Sequence, residues 1–162
     1  MRGLDPYQFR AGTIAPALAM LGMYGIPVAQ FPGDLLMATA AQETLLGRLP
    51  LRQVDGDAIS LYQFEPSTLD GLVGYAGRNF PEVLAVITTP GRAPGAQVIT
   101  DLRYATVMAR LYYWRSPLAM PLETTLLDLW RIYKTVWNTA AGKATLAEFT
   151  RNLKLTDIRL SA

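Results

Sequence analysis

Apolar and polar positions alternate with helical rather than strand periodicity along most of the chain. Leu35 to Gly47 is the clearest apolar run, with Leu36, Ala40, Glu43 and Gly47 on one stripe and Leu35, Thr39, Gln42 and Leu46 on the next. This spacing predicts a helix with Asp34 as its N-cap and Gly47 as its stop. Upstream, Met1 to Gly12 reads as an extended lead-in, and Thr13 as the cap of a helix from Ile14 to Met23. Downstream, Leu51 to Gln63 carries an Asp55-Gly56-Asp57 turn between short flanks, which predicts a small β-hairpin lobe.

The second half continues in the same register. A helix is expected over Pro66 to Tyr75, followed by an apolar piece over Phe80 to Ile87. Residues 88–98, rich in Pro and Gly, are expected to form a surface loop inside one domain. Thr100 is expected to cap a helix from Asp101 to Trp114. Leu126, Trp130, Tyr133, Trp137 and Ala140 step by four and three residues, predicting one long helix from Leu122 to Ala141 closed by Gly142. Thr145 and Glu148 form a capping-box pattern that starts a last helix ending near Leu153. The fold expected is mostly α, a single domain over residues 1–162, with the small hairpin next to the Glu43 helix.

Composition narrows the chemistry. With 162 residues, 51% of them hydrophobic and 17% charged, the chain is long enough for one real core. It holds no His and no Cys, which removes Ser-His-Asp and Cys-His catalysis, His- or Cys-ligated zinc, disulfides and iron–sulfur sites. Carboxylate chemistry survives this filter. A net charge of +2 without a basic run speaks against a specific nucleic-acid interface. The uncharged stretch from Ala11 to Gly33 is interrupted by Pro16, Gly22, Gly25, Pro27 and Pro32, so neither a membrane span nor a signal peptide is expected. No cofactor and no metal are expected.

Glu43 is the acid on which the reading turns. On a helix of greasy and small neighbours a carboxyl loses hydration and holds its proton more tightly, as a general acid must. The motifs around it resemble the lytic transglycosylase and goose-type lysozyme superfamily, in which a helix-borne Glu is followed by a Gly-Leu-Met-Gln-like strand and a Pro-x-Thr turn. They are more similar still to a phage and prophage family of small lysozyme-like proteins. The segments that carry the resemblance are Thr39-Ala40-Ala41-Gln42-Glu43-Thr44, Leu51-Arg52-Gln53 and Gln63-Phe64-Glu65-Pro66-Ser67-Thr68. Two more are Tyr104-Ala105-Thr106-Val107-Met108-Ala109-Arg110 and Trp137-Asn138-Thr139-Ala140-Ala141-Gly142-Lys143, so the likeness runs from about Ile14 to Leu153. Thr44 stands where the family has Ser, Ser60 where the superfamily has Gly, and Trp137 where its groove motif has Tyr.

The resemblance implies a lysozyme-like α+β fold and cleavage of the bond between N-acetylmuramic acid and N-acetylglucosamine, with Glu43 as catalytic acid. Gln63, Tyr62, Ser60, Asn138 and Trp137 are then the substrate-binding residues, with Tyr104, Tyr112 and Tyr113 as further aromatics able to stack on sugars or fill the core. A hydrolase needs a second carboxylate, for which Asp57, Asp55 and Glu65 are the candidates; a lytic transglycosylase needs none. The implied partners are peptidoglycan glycan strands and other phage virion proteins. The implied setting is a virion or an infected cell, with action at the bacterial wall during DNA entry or, as an endolysin, during lysis. A virion structural protein that keeps the fold without activity is the alternative, favoured by Ser60 and Trp137.

Overall fold

The computed structural model describes residues 3–161. It is mostly helical, and the helices are ordered around one that is buried on all sides. That helix, α3 (Gln30–Thr44), follows α1 (Pro6–Phe9) and α2 (Ala15–Gly22), which are joined without a break by a π-helical turn, Arg10–Ile14. From Phe31 to Ala41 every residue of α3 is buried. Such a helix needs apolar residues all round rather than on one stripe, and the run from Phe31 to Ala41 supplies them with Asp34 as the single charge. The first π turn, α7, α8 and α9 pack around it.

Several boundaries differ from those expected, each for a local reason. Residues 3–12 are not an extended lead-in: Asp5 accepts a hydrogen bond from the Gln8 N–H (2.9 Å) and Pro6 takes the first helical position. Residues 1 and 2 of that segment lie outside the described residues. Asp34 does not cap α3, which starts four residues earlier at Gln30 and tolerates Pro32 within its first turn. Asp34 is instead a buried anion. It accepts from the Arg10 guanidinium at 2.8 Å and from the Thr124 hydroxyl at 2.6 Å, and Arg10 also binds Asp157 at 2.7 Å. Gly47 is not the residue that stops α3 either. The turn is made by Leu45 and Leu46, at φ 51° and 56°, whose N–H groups reach back to Ala41 and Ala40. Burial of Leu46, 1% exposed, offsets the cost of placing a branched residue there.

The β-hairpin lobe is absent as such, and no strand forms among the described residues. Two isolated antiparallel bridges, Arg52 with Ile59 and Ile59 with Phe64, are what the segment makes. The reason is length. Only a few residues lie between Pro50 and the exposed 55–57 turn, and Ser60 and Gln63, at φ 79° and 50°, fold the chain back after Ile59. The result is a compact excursion that sits beside the end of α3.

The rest follows the predicted order with shifted ends. Helix α4 (Pro66–Asn79) runs four residues beyond Tyr75, and α5 (Pro81–Ile87) follows because Pro81 ends one helix at Phe80 and opens the next. The expected 88–98 loop is half helix, since Pro94 starts α6 (Pro94–Thr100). Buried Gln97 staples the shorter loop that remains, donating to the Ile87 carbonyl (2.7 Å) and accepting from the Thr89 N–H (3.0 Å). Asp101, not Thr100, caps α7 (Leu102–Trp114) through the Tyr104 N–H at 3.0 Å. The long 122–141 helix is shorter and irregular. Thr125 caps α8 (Leu126–Ile132), which widens into a π-helical segment, Tyr133–Asn138, and ends at Thr139, φ 60°. The capping box forms as predicted at α9 (Leu146–Leu153). Among the described residues no helix is long and apolar enough to cross a membrane.

Candidate functional site

A cleft of about 670 Å³ opens between the end of α3, the 49–65 excursion, α7 and the π segment after α8. Glu43 lines it from the last turn of α3, together with Arg52, Gln63, Glu65, Tyr112, Trp137 and Asn138. The size and the mixture of aromatic walls with a few polar groups suit a small organic ligand or a few sugar rings.

Local chemistry explains why Glu43 emerges there. Thr44, next in sequence, is buried; its hydroxyl donates to the Leu61 carbonyl (2.9 Å) and accepts from the Gly47 N–H (3.1 Å). It thereby ties the helix end to the excursion, a task for any short side-chain hydroxyl. On the other side Gln42 accepts from Asn152 of α9 at 3.0 Å. Held between these two anchors, Glu43 points into the cleft, where its Oε1 accepts a hydrogen bond from the Tyr133 hydroxyl at 2.8 Å. No cation lies within ion-pairing distance among the described residues. Burial without a counter-charge raises its pKa from the ordinary 4.5 to about 7, and the Tyr133 bond offsets only part of that cost. Protonated and ionised forms of Glu43 are therefore both populated near neutrality.

The residues expected to bind a substrate divide into two groups. Gln63, Trp137 and Asn138 line the cleft with Glu43. The Gln63 amide nitrogen donates to the Ser60 carbonyl at 2.8 Å, which leaves its oxygen as an acceptor. Trp137 stands in an aromatic cluster, 4.9 Å from Tyr112 and 5.1 Å from Phe64 between ring centroids. Tyr62 and Ser60 lie beneath the wall instead of on it. Tyr62 is fully buried with its hydroxyl 3.2 Å from that of Thr106, and burial pushes its pKa up. Ser60 is fully buried, and its Oγ accepts from the Tyr62 N–H at 3.2 Å. Tyr104 and Tyr113 are core residues, whereas Tyr112 lines the cleft.

Among the candidate second carboxylates, Asp55 and Asp57 sit on the exposed turn outside the cleft, and Glu65 lines it while remaining exposed. Glu65 occupies the N-cap position of α4 without a side-chain capping bond. Among the described residues no group of three or more His, Cys, Asp or Glu is placed to hold a metal ion.

Tyr133 is the site residue that the sequence did not single out. Its place on the Leu126–Ala140 stripe carried no signal beyond packing, and its ring does stack on Phe149 at 5.1 Å. Only the approach of the π segment to α3 shows that the hydroxyl reaches Glu43. The segment after it is also close-packed. Lys134 donates to the Asn138 side-chain oxygen at 2.5 Å and to the Gly142 carbonyl at 2.7 Å. A Cβ on Gly142 would overlap the Asn138 carbonyl and side chain, so glycine is required there by close approach. Comparison with protein-family models, with curated proteins and with solved structures gives no match.

Proposed function

We propose that this protein is a peptidoglycan-cleaving glycosidase of lytic transglycosylase type, with Glu43 as its single acid and base. The observation that carries the reading is a carboxyl with a pKa of about 7 on the wall of a cleft large enough for sugar rings, free of any ion pair and held by a tyrosine hydroxyl. The motif resemblance around Glu43, Gln63 and Asn138 supplies the substrate, the bond between N-acetylmuramic acid and N-acetylglucosamine. A lysozyme-like arrangement, with the 49–65 excursion in place of a strand-built lobe, belongs to the same proposal.

In this mechanism protonated Glu43 gives its proton to the glycosidic oxygen as the bond to the anomeric carbon breaks. The resulting carboxylate then takes a proton from the 6-hydroxyl of the same muramic acid residue, whose oxygen closes on the anomeric carbon to give a 1,6-anhydro end. No second carboxylate is needed, and the exposed positions of Asp55 and Asp57 favour this course over hydrolysis. Glu65 is the remaining acid that a hydrolytic route would use. Trp137 and Tyr112 offer faces for sugar rings, Asn138 and Gln63 offer amides for the acetamido groups, and Arg52 offers a cation for substrate carboxylates.

The setting proposed is a phage particle or an infected cell, with the enzyme opening the wall during DNA entry or lysis. The alternative of an inactive virion protein drew on Ser60 and Trp137. Ser60 faces the core, so its hydroxyl does not crowd the cleft, and Trp137 adds an aromatic surface to it.

Digestion of purified peptidoglycan, with mass analysis of the products, tests the reading. The wild type is expected to release anhydro-muropeptides and Glu43→Gln to lose roughly 10²-fold or more of that rate. Reducing-end products would transfer attention to Glu65 and a hydrolytic mechanism. No release by a wild-type chain shown to be folded would refute the enzyme and favour the structural role.

A further inference from the structure

The last helix meets the site from behind the cleft wall. Helix α9 packs on α3 and α8, and its buried residues are Phe149 and Asn152, three apart and so on one face. Neither of them lines the cleft, yet each meets a residue that supports Glu43. The Asn152 side-chain N–H donates to the side-chain oxygen of Gln42, the residue before Glu43, at 3.0 Å. The Phe149 ring stacks on the ring of Tyr133, with centroids 5.1 Å apart and planes at 28°. Trp130 completes a cluster of three rings, 5.5 Å from Phe149 and 6.1 Å from Tyr133. Tyr133 is buried in this cluster, and its hydroxyl donates to Glu43 at 2.8 Å.

We propose that Phe149 is a positioning residue for Glu43, acting through the ring of Tyr133 with α9 as its mount. A tyrosine oxygen lies on the axis about which its ring flips, so a flip leaves it in place and only a swing about χ1 carries it away. A ring stacked on the tyrosine face opposes that swing. The hydroxyl is then held ready for the ionised carboxylate, and little side-chain freedom is lost when the bond forms. Asn152 keeps α9 in register with α3 by its bond to Gln42, so one helix steadies Glu43 through its chain neighbour and through its hydrogen-bond donor. The other ionisable groups around Glu43 are Tyr113 of α7, whose hydroxyl lies 2.7 Å from that of Thr39, and, across the cleft, the exposed Arg52 and Glu65. On α3 itself Asp34 is committed to Arg10 and Thr124, and on the π segment Lys134 donates to Asn138 and Gly142. Helix α9 adds no charge at the site, since Glu148 is bonded to Thr145 in the capping box and Arg151 is exposed.

The role of Glu43 as the acid rests on the proposed function, so the test reads the carboxyl directly rather than through turnover. Carbon-detected NMR of the glutamate side chains, with the Glu43 signal assigned by Glu43→Gln, gives its titration midpoint in the full chain. Tyr133→Phe removes the bond that favours the carboxylate and is expected to raise that midpoint by roughly one pH unit. Phe149→Leu leaves the hydroxyl in the chain but removes the stacked ring, and is expected to raise the midpoint roughly half as far. If Phe149→Leu lowers thermal stability while the midpoint stays in place, Phe149 is packing alone and the proposal is refuted. An unmoved midpoint in Tyr133→Phe overturns it equally, because the bond to be positioned then has no hold on Glu43. Should Phe149→Leu fail to fold, Phe149→Met fills the space with a flexible chain and no ring; the same upward movement is expected, and its absence overturns the proposal. A glycosidase assay that shows no activity would leave this measurement intact and bear only on the function.

Discussion

Ser60 shows how one residue can match a motif for a reason the motif does not announce. It stands where the resembling superfamily has glycine, and its side chain is buried in the core. The backbone at Ser60 lies at φ 79°, a region glycine enters freely and other residues enter at a cost. The penalty is therefore conformational and paid in the core, with the hydroxyl recovering one bond to the Tyr62 N–H. Ser60→Gly is expected to raise stability by about 1 kcal/mol, seen as a higher denaturant midpoint at unchanged slope, with peptidoglycan release unaffected. Lower stability on that change would show that the Ser60 hydroxyl outweighs the backbone cost. Glu43 is the opposite case, a residue whose chemistry was legible from its neighbours. Its small and apolar surroundings predicted a carboxyl reluctant to ionise, and burial does raise its pKa.

At the scale of elements, the ion cluster beneath α3 joins three distant parts of the chain. Arg10 on the first π turn binds Asp34 on α3 and Asp157 in the C-terminal tail, whose side chains are 2% and 6% exposed. The two carboxylates hold the Arg10 guanidinium above its ordinary pKa against the opposing cost of burial. Removing the cation shared by two buried carboxylates leaves them without their partner. Arg10→Met is expected to cost about 3 kcal/mol at neutral pH, read by thermal or denaturant unfolding. A change below about 0.5 kcal/mol would mean that water reaches the pair and replaces the arginine. Sequence could place Asp34 only as a cap, because the alternative required knowing that Arg10 lies beside it. The capping box at Thr145, by contrast, is a contact between residues three apart, and it formed where the pattern said it would.

For the whole molecule, Glu43 couples folding to pH. In the folded state its pKa is about 7 against an ordinary 4.5, so between those values the native chain binds more proton than the unfolded one. Stability then falls as pH rises through this window, by up to about 3 kcal/mol when the shift is converted at 1.36 kcal/mol per pKa unit. Glu43→Gln, which cannot ionise, is expected to lose this component, and so to exceed the wild type in melting temperature at pH 8 while matching it near pH 4. Equal pH dependence of the two chains would show that Glu43 is better hydrated than its position implies. Such a gain on removing the acid would be expected of a group kept for a reason other than stability.

Periodicity and composition were enough to determine a mostly helical chain, the helix that bears Glu43, the capping box at Thr145, and the exclusion of histidine and cysteine chemistry. These depend on residue identity and on neighbours a few positions away, which is information a sequence carries openly. Tertiary structure decided the rest. Between Leu51 and Gln63 the local pattern favoured a hairpin, but two left-handed residues and a short span leave only isolated bridges. The long 122–141 stripe continues past Ile132 as a π segment, a change of one residue per turn that hydrophobic spacing does not resolve. That widened turn is what carries Tyr133, Lys134 and Asn138 to the end of α3, 90 residues away from Glu43 in sequence in the case of Tyr133. Contacts at that separation are set by how helices pack, and no local pattern records them.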